Sequence, residues 1–142
     1  AMAEYNGIGK CVAELAILPP GDFENHPCCA IAANNEAIAS KGHEIAAAME
    51  LFAYATDYIN EYPADAAAAA AEWIGTPVEV EVISMGTSLY DLHVTEDWTG
   101  NMGLILDHMR NLNALPGPVG QADNTEALDL ITDFSLLPEE YR

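Results

Sequence analysis

The stretch from His43 to Gly75 constrains the fold most, because it specifies two consecutive helices divided by a single proline. Residues 43–62 carry apolar side chains at helical spacing on two faces: Ile45, Met49, Phe52, Thr56 and Ile59 on one, and Leu51, Tyr54, Tyr58 and Tyr62 on the other. Two apolar faces predict a helix that packs on both sides. Pro63 ends this helix and opens an alanine-rich one, for which Gly75 is a natural stop.

The first third of the chain predicts a little β structure among turns. Cys11–Ala13 is a short β-like piece, and the proline-rich residues 19–27 predict a turn-rich connector. The apolar run at 28–34 has no helical stripe and is bounded by turn signals, which is typical of a buried strand. Asn34 or Asn35 can then cap a short helix that runs through Ser40 and breaks at Gly42. Alanine makes up 24 of the 142 residues, which favours helix over sheet elsewhere.

Two further segments carry helix signals, and one segment is ambiguous. In residues 76–85, valines alternate with glutamates as in a strand, whereas Thr76-Pro77 is a helix-start signal. Thr95 caps a helix with acids in its first turn and an apolar stripe as far as Leu112. A loose loop through 116–124 and a short helix from Thr125 to Ile131 complete the predicted elements.

The charge excludes two classes of function. The chain has 23 acidic residues against four Lys and Arg, a formal charge of −19. Nucleic acid and anionic membrane surfaces both need a basic footprint, so neither is an expected partner. No apolar run is long enough for a membrane span, and no secretory signal is present in this chain. The opening Ala-Met-Ala suggests a piece of a longer protein.

The side chains that could carry chemistry form no complete constellation. His26, Cys28 and Cys29 could form a soft-metal or redox site, but no fourth ligand lies nearby. The thiols are expected to be buried and apolar, although one bridge from Cys11 to Cys28 or Cys29 stays conceivable. We therefore predict no metal, no cofactor and no catalytic residue.

The order of segments resembles a known family. The carrying residues are Pro27-Cys28-Cys29, then Ala55, Tyr58, Ile59, Asn60 and Pro63, then Gly75 and Trp98, and finally Asp133-Phe134-Ser135-Leu136-Leu137. Together they resemble the carboxy-terminal part of ABC-transporter solute-binding proteins of the nitrate, sulfonate and taurine type, which includes relatives that bind thiamine-pyrimidine precursors.

The resemblance implies a fold and a domain organisation. It implies a helix-dominated α/β fold, namely a partial lobe like that of type II periplasmic binding proteins, with a small sheet and five or six helices. It implies a helix at 77–85 in place of the strand. Residues 1–142 would form a single domain, a fragment in which 1–27 end the second lobe and 28–142 supply the crossover strand and first-lobe helices.

The resemblance also implies a function, in which an extracytoplasmic protein captures a small oxyanion or pyrimidine-like heterocycle and delivers it to an ABC permease. Asn25, His26 and Cys28 would lie near the ligand, because the crossover loop borders the cleft in this family. One alternative is a stand-alone helical dimerisation or interaction domain. Another is an enzyme that uses His26 with Cys28 or Cys29. We also expect a homodimer, formed through the spare apolar face of 43–62 and the strand at 28–33.

Overall fold

The computed structural model describes residues 1–142, which form seven α-helices, two short 3-10 turns and no strand. None of the helices is both long enough and apolar enough to cross a membrane. The helices are α1 (Met2–Tyr5), α2 (Asn35–Glu61), α3 (Pro63–Ile74), α4 (Val78–Met85), α5 (Glu96–Asn111), α6 (Gly117–Gln121) and α7 (Asn124–Ile131), and the turns are Leu15–Ile17 and Glu139–Tyr141.

The predicted sheet is wrong, and with it the α/β fold class. The segment at 28–34 is irregular and exposed, and Ile31 within it is half exposed. Cys11–Ala13 is irregular too, and the Cys11 N–H donates to Glu4 Oε1 at 2.9 Å instead of to a neighbouring strand. A strand draws its hydrogen bonds from a second strand, and this chain forms none. The predicted burial of the three cysteines is also wrong, because all are free and exposed.

The predicted helix boundaries in the middle of the chain are confirmed. Asn34 caps α2, since its Oδ1 accepts the Ala37 N–H at 2.7 Å. The break expected at Gly42 occurs one residue earlier, where Lys41 leaves helical geometry at φ −133° and ψ 30°. α3 begins with proline, and Gly75 ends it at φ +80°, a conformation that a residue with a Cβ adopts only under strain.

The chain divides into two compact units, of which the first comprises residues 1–14 and 50–92. Its core pairs α3 with α4, and three alanines of α3 and Val80 of α4 are buried. The Thr76 hydroxyl donates to Glu81 Oε1 at 2.6 Å, which provides a partner for that buried carboxylate. α4 is therefore helical, as the resemblance implied and against the local alternation.

The second unit comprises residues 15–49 and 93–142. Thr95 caps α5, accepting the Trp98 N–H at 3.1 Å, as predicted. The core is built where α7 packs against α5 and α6. It consists of Leu106, Ala127 and Leu128, with Trp98, Met102, Leu115, Val119 and Ala122 packed against them. The expected loop at 116–124 contains α6, and α7 is capped by Asp123 through the Glu126 N–H instead of starting at Thr125.

The chain end is fastened to the start of α5. The Val94 N–H donates to the Tyr141 carbonyl at 2.9 Å, and Trp98 meets Phe134 edge to face with ring centroids 5.6 Å apart. The Arg142 guanidinium donates to two carbonyls of the preceding turn, those of Ser135 and Leu137. These contacts hold the carboxy-terminal segment against the rest of the second unit.

Candidate functional site

The loop that precedes Pro27 is anchored on α5 at two points. Asp22 Oδ2 lies 3.1 Å from His108 Nε2, and the Phe23 ring stacks on the His108 ring with centroids 5.3 Å apart. Two turns earlier on the same helix, Asn101 Nδ2 donates to the Asn25 carbonyl at 3.3 Å. Residues 101 and 108 lie two turns apart, so they present one side of α5 to the loop. The loop is thus positioned by a helix that is remote in sequence.

Asn25 and His26, two of the predicted ligand residues, lie on this anchored loop. Asn25 is exposed and adopts a left-handed conformation at φ +54°, which asparagine tolerates better than most residues. His26 is half-buried, and its Nδ1 lies 2.7 Å from the Phe23 carbonyl. A carbonyl only accepts, so Nδ1 carries a proton, and in the uncharged form of the ring Nε2 is then an acceptor. The loop therefore presents one amide and one imidazole nitrogen.

Cys28, the third predicted residue, lies beyond the anchored loop. Its exposed Sγ is 3.6 Å from Cys29 Sγ, and no contact joins it to His26. The hydrogen bond with Cys28 raises the pKa of the Cys29 thiol, with the Cys28 charge and slight burial acting in the same direction. A nucleophilic or metal-binding cysteine needs a lowered pKa instead. No three His, Cys, Asp or Glu side chains are placed to hold a metal ion.

A concavity of about 430 Å³ lies beside the loop and is open to solvent. Residues 16–21 and Glu24 line it, so it is mainly apolar, with a single carboxylate. Asn25 and His26 do not line it. None of the predicted ligand residues therefore lines this open concavity.

Sequence reasoning missed the partners that fix this site. His108 and Asp22 are 86 residues apart, and no local signal pairs them. Arg110, also on α5, was missed as a structural residue: it pairs with Asp107 of the same helix at 2.9 Å and connects α5 to α7 through Asn124 Oδ1. Its Nε and Nη2 are buried without a partner, and because they have almost no accessible surface, an external ligand cannot reach them.

The comparisons leave the resemblance as a prediction. No family model matches the chain, and searches of curated proteins and of solved structures find no match. The function is therefore proposed from the order of segments and from the geometry described above.

Proposed function

We propose that the chain belongs to the solute-binding component of an ABC importer, which captures a small solute and hands it to a membrane permease. The observation that carries the proposal is α4. Its valines and glutamates alternate as in a strand, yet Val78–Met85 is a helix, as the resemblance implies. The order of segments also supports this function, whereas an α/β lobe gives it no support, because the chain has no sheet.

The anchored loop supports a particular class of solute. With a proton on Nδ1, the uncharged form of the His26 ring has Nε2 as an acceptor, which can pair with an N–H donor such as the amino group of an aminopyrimidine. An oxyanion would need the protonated ring, and it would also approach a chain with a formal charge of −19. Of the two solute classes implied by the resemblance, the amino-substituted heterocycle therefore fits this loop better.

Uptake by cells that carry the gene tests the proposal with the complete gene product. Labelled aminopyrimidine, nitrate and taurine are supplied to wild-type cells, to a deletion strain and to strains that carry His26→Ala or Asn25→Ala. The matched control is His43→Ala, which removes an exposed histidine of α2. We expect deletion to abolish aminopyrimidine uptake, and His26→Ala to weaken it roughly five- to tenfold, equivalent to one hydrogen bond.

Three results would contradict this proposal in different ways. Unchanged uptake of all three solutes after deletion would remove the transport function. Loss of nitrate or taurine uptake alone would keep the function but reject the heterocycle. Equal effects of His26→Ala and His43→Ala would remove the anchored loop from the ligand site.

A helical interaction domain is the second candidate function, and the surface of the first unit favours it. Large apolar side chains are exposed on all three of its longer helical segments: Leu51, Phe52, Tyr54, Tyr58, Tyr62, Trp73, Ile74, Val78, Val82 and Ile83. Soluble monomers rarely expose large apolar patches without a use for them. This surface fits a macromolecular partner better than it fits a small solute.

A further inference from the structure

The second half of α2 has one apolar face that is partly to largely exposed. Leu51, Tyr54 and Tyr58 lie on one side of α2 at spacings of three and four residues, and Tyr62 follows directly after the helix. The rings of Tyr58 and Tyr62 are 5.0 Å apart between centroids. Leu51 and the three tyrosines, here called the tyrosine stripe, all remain exposed.

Acidic residues lie along one side of the tyrosine stripe. Residues 50–92 contain eight Asp and Glu and no Lys, Arg or His. Glu50, Asp57 and Glu61 occupy the neighbouring row of α2, less than a third of a turn from the stripe. Glu61 Oε1 accepts the Tyr62 hydroxyl at 2.8 Å, and this hydrogen bond, followed by burial and by the charges of Tyr58, Tyr54 and Asp65, raises the pKa of Tyr62.

A second copy of the chain fits this face poorly. The stripe tyrosines are 68%, 37% and 45% exposed, and a tyrosine covers about 200 Å² when fully buried, so together they offer about 300 Å². A stable dimer needs about 800 Å² from each copy, whereas an area of this size suits a weak, transient contact. A second copy would also bring its own Glu50, Asp57 and Glu61 to the contact, and like charges that face each other oppose association.

We propose that the tyrosine stripe binds a cationic amphipathic helix of a partner protein. The apolar side of such a helix covers Leu51 and the tyrosine rings, while its Lys and Arg side chains lie over the ring faces and beside Glu50 and Glu61. Tyrosine suits this task because it supplies a large contact area with few rotatable bonds. The inference rests on the second candidate function and is independent of solute transport.

The experiment uses the full chain and a defined probe. The probe is a fluorescein-labelled 18-residue helix of Leu and Lys with all leucines on one face. One control peptide has the same composition in scrambled order, and another has Glu in place of Lys. The protein variants are Tyr54→Ser/Tyr58→Ser and a matched control, Leu112→Ser/Leu130→Ser, which removes two exposed leucines of the second unit. Circular dichroism checks that each variant keeps its helix content, and fluorescence anisotropy measures binding.

We expect the Leu/Lys helix to bind, and to bind about tenfold more weakly to Tyr54→Ser/Tyr58→Ser than to the wild type, with the control variant unchanged. Raising the salt concentration should weaken binding, and the Glu-containing helix should not bind. The inference is overturned if the scrambled peptide binds as tightly as the amphipathic one. It is equally overturned if the tyrosine variant keeps full affinity, because charge alone then accounts for binding.

Sedimentation separates failure of this inference from failure of the function beneath it. A species of twice the 15.2 kDa chain mass that Tyr54→Ser/Tyr58→Ser dissociates would assign the stripe to a second copy. That result would keep the interaction domain as the function and would reject the cationic helix as its partner. A wild-type monomer that binds none of the peptides would reject both the interaction domain and the cationic partner.

Discussion

Replacing Leu106 by alanine should remove much of the stability of the second unit. Leu106 is 2% exposed and is the largest fully buried side chain of the chain, packed where α5 meets α7. A buried leucine truncated to alanine loses its transfer free energy and leaves a cavity, at a cost of about 3 kcal/mol. With a urea dependence of about 2 kcal/mol per molar, the unfolding midpoint should fall by about 1.5 M.

The reporter for this experiment is already in the core. Trp98 packs against the Leu106 cluster, whereas Trp73 lies in the first unit and is 91% exposed. In a Trp73→Phe background, fluorescence therefore follows the unfolding of the second unit alone. The matched control is Leu104→Ala, which removes a more exposed leucine of the same helix and should cost under about 1 kcal/mol. Equal shifts for the two leucines would refute the assignment of the core.

Four further substitutions test local features of the second unit. Gly120→Ala should lower the melting temperature, because the Cβ of the alanine would lie 2.3 Å from the Leu115 carbonyl oxygen. At Gly100, within α5, a Cβ would point into open space, so Gly100→Ala should stabilise the folded state by about 0.5–1 kcal/mol. Thr95→Ala removes the cap of α5 and should cost about 1 kcal/mol in urea unfolding. Hydrogen bonds from the Ser135 side chain and backbone lower the pKa of Asp133 in the folded state. The ionised Asp133 carboxylate therefore stabilises the fold at neutral pH, and this contribution is lost as the pH falls through the folded-state pKa. Ser135→Ala should raise the pKa of Asp133, which an NMR titration measures.

The helix boundaries could be predicted because their causes are local. A proline at the first position of α3, a glycine after it, and the caps at Asn34 and Thr95 each act within one turn of the residues they fix. α4 is the exception, since its alternation of valine and glutamate favours a strand in isolation. Its packing against α3 and the hydrogen bond from Thr76 to Glu81 decide for a helix instead.

Only part of the candidate site could be predicted from the sequence. The loop at 19–27 and its exposed Asn25 follow from turn chemistry, but the pairing of that loop with α5 does not. The stacking of Phe23 on His108 and the contact of Asp22 with the same ring join positions more than 80 residues apart. The predicted strand at 28–34 failed for a related reason, because an apolar run becomes a strand only where another strand supplies its hydrogen bonds.

The two-faced pattern of α2 shows why periodicity predicts a helix better than it predicts what the helix contacts. The spacing of apolar side chains correctly placed a helix over 43–61. It also predicted packing on both faces, yet Phe52 on the first face is half exposed, and Leu51 and Tyr54 on the second are largely exposed. Ala53 is the one buried residue of this helix. Periodicity records which faces favour contact and not whether the same chain provides it. The acids beside the exposed face distinguish the possible contacts, because they oppose a second acidic copy and favour a basic partner.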